Sequence, residues 1–350
     1  MTPPRIALVG AGRMGKLHAR VLAEMPQAVL AAVLDVNPAA AELLAGQYRA
    51  RACATVAEAL GACDAAIIAV PTVAHVQAAW PFVAAGKSVL IEKPLAESAA
   101  AAEKLLELAG RTGASVQVGH TERFNPAVQA IARFQIVPKF IEAHRISPYT
   151  FRSADIGVVL DMMIHDIDLV LMMVRSQLSD VQAVGVNVIG GPEDIANARL
   201  TFANGCVANL TASRLAIKSE RKMRIFSEQA YLSVDYGKKV GIVIKKGDNL
   251  DLIQMARQKQ ARDLAELAGT VDYAKLLKVE QLQVEETQEP LRQQAMAFVE
   301  CVTGGQKPPV SGQEGLEALR CAERIVEAIK SHRWDGQASP RHGLDIISRE

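Results

Sequence analysis

Three side chains that can hold or move a proton occur at helical spacing in the second half of the chain. Asp161 and His165 are four residues apart, and Asp168 follows three residues later, so an α-helix through this segment presents them on one face. The residues between them are mostly apolar, which indicates a buried helix in which polar groups require partners. A histidine there can accept a proton near neutral pH, and a carboxylate beside it can orient the ring. The pattern predicts a general acid–base site.

Two other interpretations of this segment stay open. Asp161 can be a helix-start residue and His165 a hydrogen-bonded core histidine, which requires no function. Carboxylates and an imidazole on one face can also bind zinc or iron, but no second cluster of histidines or cysteines supplies the remaining ligands. We therefore expect no metal ion.

A glycine-rich turn in the first half has the spacing of a dinucleotide-binding site. It follows a short apolar run and leads into a helical pattern, and it reads Gly10-Ala-Gly12-Arg13-Met14-Gly15. In such a turn the first glycine permits a tight bend, and the second lets a pyrophosphate approach the backbone. The third lets the helix pack closely on the strand, so that the N-terminal amides of the helix face the phosphates.

The acid that follows the second apolar run supports the same interpretation. The run 29–34 has the length of a strand and ends in Asp35, twenty residues after Gly15. That is the spacing of the carboxylate that binds the ribose 2′-hydroxyl. No arginine follows Asp35 directly, so no side chain is placed to bind a 2′-phosphate. The sequence therefore favours NAD over NADP as the cofactor.

Apolar runs with helical patterns between them continue through the first 120 residues. The runs lie at 5–10, 29–34, 65–70, 88–91 and 114–118. This alternation predicts a parallel sheet covered by helices on both faces, and ligands of such sheets bind beyond the carboxyl ends of the strands. We assign to the cofactor site the residues that follow two of these runs: Pro71, Thr72, His75, Glu92 and Lys93.

Lys93 has the clearest chemistry at this edge of the sheet. It follows an apolar run and precedes Pro94, which confines it to extended or turn geometry. An ammonium group held there can hydrogen-bond a substrate hydroxyl. The alternative is a solvated loop lysine.

Composition and charge limit the remaining function classes. The 350 residues predict two domains, and 50% hydrophobic with 22% charged residues excludes a disordered chain. The 39 lysines and arginines balance 38 acidic residues, which argues against a nucleic-acid polymer as a partner. The five cysteines form no Cys-x-x-Cys pair, and charges interrupt the most apolar stretch, so we expect a cytoplasmic protein without a membrane segment.

Taken together, the motifs resemble those of the Gfo/Idh/MocA family of nicotinamide-dependent sugar oxidoreductases. The resemblance rests on the glycine-rich turn, Asp35, Glu92-Lys93-Pro94, Asp161-x3-His165 and Arg123-Phe124-Asn125-Pro126. It covers nearly the whole chain except residues 250–290 and the tail after 333. The family's fold implies an α/β Rossmann domain over residues 1–120 and an α+β domain with a large, mostly antiparallel sheet over residues 121–350. Strand-like runs agree with that sheet, at 182–189, 196–202, 206–213, 221–226, 230–235 and 240–245.

The resemblance also implies residue roles. Lys93 matches the catalytic lysine between cofactor and substrate, His165 the acid–base residue, and Asp161 the residue that binds the substrate hydroxyl and orients the histidine. Because all three are present, we expect an active NAD-dependent dehydrogenase; a non-catalytic NAD-binding sensor or regulator on the same fold is the alternative. In the family the exposed face of the second sheet commonly forms subunit contacts, which implies a homodimer or homotetramer.

Within the family, residues 152–168 resemble the branch that oxidises the 3-hydroxyl of UDP-N-acetylglucosamine. In that branch the 3-keto sugar passes to a PLP-dependent aminotransferase on the way to an amide-linked lipid A. A diphosphate requires arginine donors, and we expect Arg123, Arg152 and Arg214 to contact such a nucleotide-sugar. The charged run 218–224 has a solvated or subunit-facing strand as its alternative. An inositol-type polyol or aldose dehydrogenase is the alternative activity.

Overall fold

The first part of the chain folds into parallel strands that alternate with helices. The computed structural model describes residues 2–134, 136–150, 156–189, 191–246, 277–284, 289–334 and 337–338. The elements of the first part are β1 (Arg5–Val9), α1 (Arg13–Ala23), β2 (Val29–Leu34), α2 (Pro38–Gln47), β3 (Arg51–Cys53), α3 (Val56–Ala62), β4 (Ala65–Ile68), α4 (His75–Ala84), β5 (Val89–Glu92), α5 (Ala99–Thr112) and β6 (Val116–Gly119). The strands β4, β5 and β6 are buried along their whole length, as continuous apolar runs covered by helices must be.

The strand order of this sheet fixes where a ligand can bind. The order is β3-β2-β1-β4-β5-β6 with all neighbours parallel, and it reverses between β1 and β4. Ligands of doubly wound sheets bind in the crevice beyond the carboxyl ends at such a point. The glycine-rich turn follows β1 and residues 71–75 follow β4, so both predicted cofactor segments border that crevice.

The second part of the chain builds a larger sheet. Its elements are α6 (Pro126–Ala132), β7 (Phe140–Ile146), α7 (Ile164–Val174), β8 (Leu178–Val186), β9 (Ile195–Phe202), β10 (Val207–Ser213), β11 (Glu220–Phe226), β12 (Ala230–Asp235), β13 (Val240–Lys246), β14 (Leu277–Gln281), α8 (Pro290–Gly304), α9 (Gly312–Ser331), β15 (Arg333–Trp334) and β16 (Gln337–Ala338). The first eight of these strands pair in the order β14-β13-β12-β11-β7-β10-β9-β8, and β7 with β10 is the parallel pair among them. β15 and β16 form a separate two-stranded ribbon.

One face of this sheet is apolar and carries α7. Along β7, β9 and β11 buried and more exposed residues alternate, as expected for a sheet with one covered face. Ile141, Leu200 and Ile225 from the covered face pack with Ile167 and Val170 of α7 in one core. This packing brings α7, with its acidic residues and His165, over the sheet near the first part of the chain.

The two closing helices contact both sheets. Phe298 of α8 is buried with Ile6 and Leu8 of β1, whereas α9 places Leu316 in the core of the first sheet and Ile325 in the core of the second. The helix α9 begins at a capping box formed by Ser311 and Glu314. The division at residue 120 stays a prediction, but helices assigned to the second domain close the first one.

The predicted fold class is confirmed by this architecture. Strands β3 and β7 were not predicted: β3 has only three residues, and β7 alternates between apolar and polar side chains. Most of residues 250–290 lies outside the described residues, and residues 277–281 add the edge strand β14. Within the described residues, every helix is too short or too polar to cross a bilayer.

Candidate active site

The turn between β1 and α1 has the shape that a dinucleotide requires. Gly10 adopts a φ of +104°, and a Cβ there would overlap the carbonyl oxygen of Ala69. A Cβ on Gly15 would overlap the carbonyl oxygen of Gly10, so glycine is needed where the helix meets the turn. Among the described residues, no other atom lies within 4 Å of the Cβ position of Gly12, so its backbone is open to a pyrophosphate.

Asp35 and the start of α1 complete this cradle. Oδ2 of Asp35 accepts a 2.6 Å hydrogen bond from the amide of Ala11, and Oδ1 accepts a 2.8 Å bond from the amide of Asn37. These bonds fix the carboxylate beside the glycine-rich turn. In the described part of the chain no side chain caps α1, so the amides of its first turn, which begins with Arg13 and Met14, suit an anion. These residues fit NAD.

Lys93 connects the two sheets at the predicted catalytic position. Its peptide bond to Pro94 is cis. Nζ donates a 2.6 Å hydrogen bond to the carbonyl oxygen of Asp161 and a 3.1 Å bond to Oδ1 of the same residue. The lysine side chain is 19% exposed and the aspartate side chain 32%, so both keep a side that a ligand can reach. The structure thus brings together two residues that lie 68 positions apart in the sequence.

The backbone before His165 forms a π-helical turn, over residues 159–163, and α7 follows it. Single turns of this kind occur frequently at functional sites. Asp161 lies within this turn and contacts Lys93, whereas Asp168 lies in α7 and contacts Arg123; the predicted common face of the three polar residues stays a prediction. Asp168 is fully buried and accepts hydrogen bonds of 2.8 and 2.7 Å from Nε and Nη2 of Arg123.

His165 is held in its neutral form. Burial lowers its pKa well below the usual 6.5, and the positive charges of Lys93, Arg145 and Arg221 lower it further. Nδ1 is buried and has no hydrogen-bond partner among the described residues. The ring as a whole is only partly buried, so Nε2 is the nitrogen left to face a substrate. A neutral imidazole with an accessible nitrogen is what a general base requires.

Two further predicted cofactor residues brace the turn that carries Lys93. Glu92 is buried, and its Oε1 lies 2.7 Å from Nε2 of the fully buried His18 on α1. His75 faces the carbonyl oxygen of Pro94 with Nδ1 at 2.8 Å and that of residue 70 with Nε2 at 3.0 Å. Burial lowers the pKa of His75. The cofactor contacts of Glu92 and His75 stay predictions, as do those of Pro71 and Thr72, which lie at the crevice after β4.

The arginines predicted to contact a substrate are engaged elsewhere. Besides its bonds to α7, Arg123 forms an ion pair with Glu314, and its side chain is only 8% exposed. Nε of Arg214 donates a 2.6 Å hydrogen bond to the fully buried carboxylate of Asp194. Both guanidinium groups therefore have a structural role, and their substrate contact stays a prediction. Arg152 lies outside the described residues.

A second cluster of charges lies beside His165. Arg145 on β7 is buried and donates to both carboxylate oxygens of Asp166, at 2.8 and 3.0 Å. It pairs in register with Arg221 of β11, whose side chain is 52% exposed and lies 3.5 Å from Oε1 of Glu122. Sequence reasoning missed Arg145, because it lies in a strand that the pattern did not predict.

A second histidine, His120, was also missed. It follows β6 directly, and its ring lies edge-on to that of His165, with 6.5 Å between the centroids and an interplanar angle of 88°. The rule that identified Lys93, which looks for polar residues after a buried strand, would also have found His120. Within the described part of the chain, no group of three metal-ligating side chains comes together.

Two family models match the chain. An oxidoreductase family with an NAD-binding Rossmann fold, GFO_IDH_MocA, matches residues 4–120, and the GFO/IDH/MocA C-terminal domain matches residues 130–233. The first match contains the glycine-rich turn, Asp35 and Lys93, and the second contains Asp161 and His165. Both matches therefore include residues of the site.

Two relatives show the range of chemistry among similar proteins. UDP-N-acetylglucosamine 3-dehydrogenase of Acidithiobacillus ferrooxidans is 38% identical over 233 residues, which are 66% of this chain and 74% of that protein. Its solved structure superimposes with a TM-score of 0.83 at 31% identity, covering 94% of this chain and 98% of the other. Inositol 2-dehydrogenase of Rhizobium meliloti is 26% identical over 346 residues, 94% of this chain and 98% of that protein.

Proposed function

Because the chain belongs to the Gfo/Idh/MocA family of oxidoreductases with an NAD-binding Rossmann fold, we propose that it oxidises the 3-hydroxyl of UDP-N-acetylglucosamine to the 3-keto sugar. The observation that carries the chemistry is the meeting of Lys93, Asp161 and a neutral His165 at the carboxyl edge of the first sheet. The similarity to a UDP-N-acetylglucosamine 3-dehydrogenase supports the choice of substrate.

His165 takes the proton of the substrate hydroxyl. Its lowered pKa keeps the ring uncharged at neutral pH, so the lone pair of Nε2 is free to accept that proton. The carbon that bears the hydroxyl gives up a hydride in the same step, and a ketone remains. The proton then leaves the imidazolium for solvent, which a low pKa also favours.

Lys93 stabilises the charge that develops on the substrate oxygen. Two of its three ammonium protons point at Asp161, and the third can be donated to the oxygen as it becomes an alkoxide. The bonds to Asp161 hold the ammonium in place before the substrate arrives, so little reorganisation is needed. The exposed side of the Asp161 carboxylate can accept a hydrogen bond from a neighbouring sugar hydroxyl.

The first sheet supplies the residues that would hold the cofactor. NAD, when bound, supplies a nicotinamide ring that accepts the hydride. The open backbone at Gly12 and the start of α1 would hold the pyrophosphate, and Asp35 would hold the ribose hydroxyls. The pair formed by Glu92 and His18 joins the end of β5, directly before Lys93, to α1, whose first turn would hold the pyrophosphate.

A nucleotide-sugar also requires a cation for its diphosphate, and Arg221 is suited to that contact. Arg221 is half exposed, and its bond to Glu122 is long at 3.5 Å. Its positive charge also contributes to the lowered pKa of His165. A phosphate oxygen can therefore compete with Glu122 for this guanidinium. Arg152, which lies outside the described residues, keeps its predicted role as a second donor.

The proposal also covers the enzyme that uses the product, the cellular location and the oligomeric state. A PLP-dependent aminotransferase would consume the 3-keto sugar and give an amino sugar for lipid A. A cytoplasmic location is supported by the five cysteines, all free and buried. A homodimer or homotetramer is supported by apolar side chains on the uncovered face of the second sheet, among them Val186, Phe226, Val240 and Val279.

The test is NADH formation from a panel of UDP-sugars and free polyols, with an aminotransferase present to remove the ketone. Arg221→Met is expected to raise the KM for UDP-N-acetylglucosamine about tenfold or more. Arg224→Met is the matched control, because Arg224 lies on the same strand with similar exposure and pairs with Glu142 on the opposite face. No turnover of any UDP-sugar would contradict the proposal.

One observation favours a second function, the oxidation of a free polyol such as inositol. Arg123 and Arg214 are both engaged by carboxylates of the chain, which leaves few donors for a diphosphate. The similarity to an inositol 2-dehydrogenase over nearly the full length agrees with this alternative. Efficient turnover of inositol that is unchanged in Arg221→Met would establish it.

A further inference from the structure

His120 is a fully buried histidine whose ring has no hydrogen-bond partner among the residues that the structure describes. Its exposed fraction is 0%, and within the described part of the chain neither Nδ1 nor Nε2 is bonded. The backbone explains its position, since its amide donates a 2.9 Å bond to the carbonyl of Val118 at the end of β6. The backbone does not explain the choice of an imidazole at a site where an apolar ring would fill the same space.

An unpaired imidazole is unfavourable in this place. Burial lowers the pKa of His120, so the ring is neutral and carries one N–H donor and one lone pair. If neither the N–H donor nor the lone pair forms a hydrogen bond, the folded chain is destabilised. Buried polar groups are normally hydrogen-bonded to protein or to ordered water. Arg123 and Asp168, whose charges influence the pKa of His120, are hydrogen-bonded to each other.

The neighbouring ring of His165 also has a buried nitrogen that could form a hydrogen bond. The ring of His165 lies edge-on to that of His120 at a centroid distance of 6.5 Å, and Nδ1 of His165 is also buried without a hydrogen-bond partner in the described ranges. No direct hydrogen bond joins the two rings, but the separation is within the span of one bridging water. A water in such a position would have two ring nitrogens as partners, the usual minimum for a buried water.

A direct contact between His120 and a substrate is disfavoured. His120 is closed off from solvent, whereas His165, whose ring lies beside it, is only partly buried. A substrate that enters from solvent can therefore reach His165 but not His120. His120 therefore acts on the reaction through His165.

We propose that His120 is a positioning residue for the base: through one bridging water it holds a proton on Nδ1 of His165, which leaves Nε2 as the lone pair that faces the substrate. The inference rests on the proposed function only in naming His165 as the base. The tautomer of a histidine is set by the hydrogen bond of its second nitrogen, and here that partner is another histidine.

The test compares His120→Phe, which removes both ring nitrogens, with His120→Gln, which keeps a polar group. His144→Phe is the control, because His144 is a partly exposed histidine on β7. In protein with 15N-labelled histidine and no substrate, the His165 signals of the wild type are expected to show the Nδ1-protonated tautomer. His120→Phe is expected to give a mixture of tautomers, and His120→Gln to restore most of the wild-type signal.

Kinetics supply the second readout. His120→Phe is expected to lower kcat about tenfold with little change in the KM for the sugar, and His120→Gln to recover part of that loss. An unchanged His165 tautomer in a folded His120→Phe protein, or a kcat within twofold of wild type, would overturn the inference. If the wild type oxidises no sugar, the proposed function fails, while the tautomer measurement still decides the role of His120.

Discussion

Replacing Lys93 by methionine tests the geometry of the site most sharply. Methionine keeps much of the length of the side chain but removes the ammonium that donates to the carbonyl and carboxylate of Asp161 at 2.6 and 3.1 Å. The third proton, which we assign to the substrate oxygen, is lost with it. The aspartate is 32% exposed, so water can replace the lost bonds and the fold is expected to survive.

The size of the effect follows from the bonds that are lost. A hydrogen bond from a charged group contributes about 1.5–3 kcal/mol, and about 1.4 kcal/mol corresponds to tenfold in rate. The bond to the developing alkoxide strengthens in the transition state, whereas the bonds to Asp161 act by holding the ammonium in place. One strengthened bond and the loss of positioning together predict a fall in kcat of about a hundredfold or more.

A second effect of the same substitution concerns His165. The charge of Lys93 is one cause of the lowered pKa of His165, after burial. Its removal is expected to raise that pKa. Because the base must be neutral, the acid limb of the kcat/KM profile is expected to move to higher pH.

The assay is NADH formation by Lys93→Met as a function of pH, with melting temperature as the measure of folding. Lys104→Met is the control, because Lys104 is an exposed lysine on α5. A folded Lys93→Met protein with near-native turnover would refute the role of Lys93. An acid limb at the same pH would refute the charge effect on His165.

Three further predictions concern the cofactor, the charged cluster and acid stability. Asp35→Asn is expected to weaken NADH binding about tenfold, because the ribose loses a charged acceptor; a titration followed by the fluorescence of the reduced nicotinamide measures it. Arg145→Met is expected to lower the free energy of unfolding by about 3 kcal/mol, because it leaves a buried carboxylate unpaired. Arg224→Met removes an exposed ion pair and is expected to change this free energy by less than about 1 kcal/mol. Denaturant titration measures both. Burial places the folded-state pKa values of His120 and His165 below the usual 6.5, so the unfolded chain takes up protons first as the pH falls. Stability is therefore expected to be fully present above pH 6.5 and to decrease below it, which thermal melts from pH 7.5 to pH 5 would show.

The cofactor half of the site could be predicted from local sequence. The packing of Gly15 against the carbonyl oxygen of Gly10 arises from backbone crowding within a single turn, whereas Gly10 is crowded by Ala69, which follows β4. Asp35 follows one strand after the turn, so its position also depends on few residues. The contact within the turn is local, and sequence spacing records it.

The substrate half could be predicted only in part. The helical spacing identified Asp161, His165 and Asp168, but the π-helical turn before His165 has no signal in the pattern of apolar residues. The meeting of Asp161 with Lys93 joins residues 68 positions apart, so it depends on tertiary packing. The carboxylate partner of an arginine such as Arg123 is likewise a tertiary property that spacing does not encode.

The most direct test of the account is the transfer of deuterium from UDP-N-acetylglucosamine labelled at C3 to NAD. The account predicts that the enzyme forms deuterated NADH, with a slower rate than the unlabelled sugar gives, and that His165→Ala abolishes the transfer while NAD still binds. Formation of unlabelled NADH would place the oxidation at another carbon. Transfer at the wild-type rate by His165→Ala would contradict the site itself.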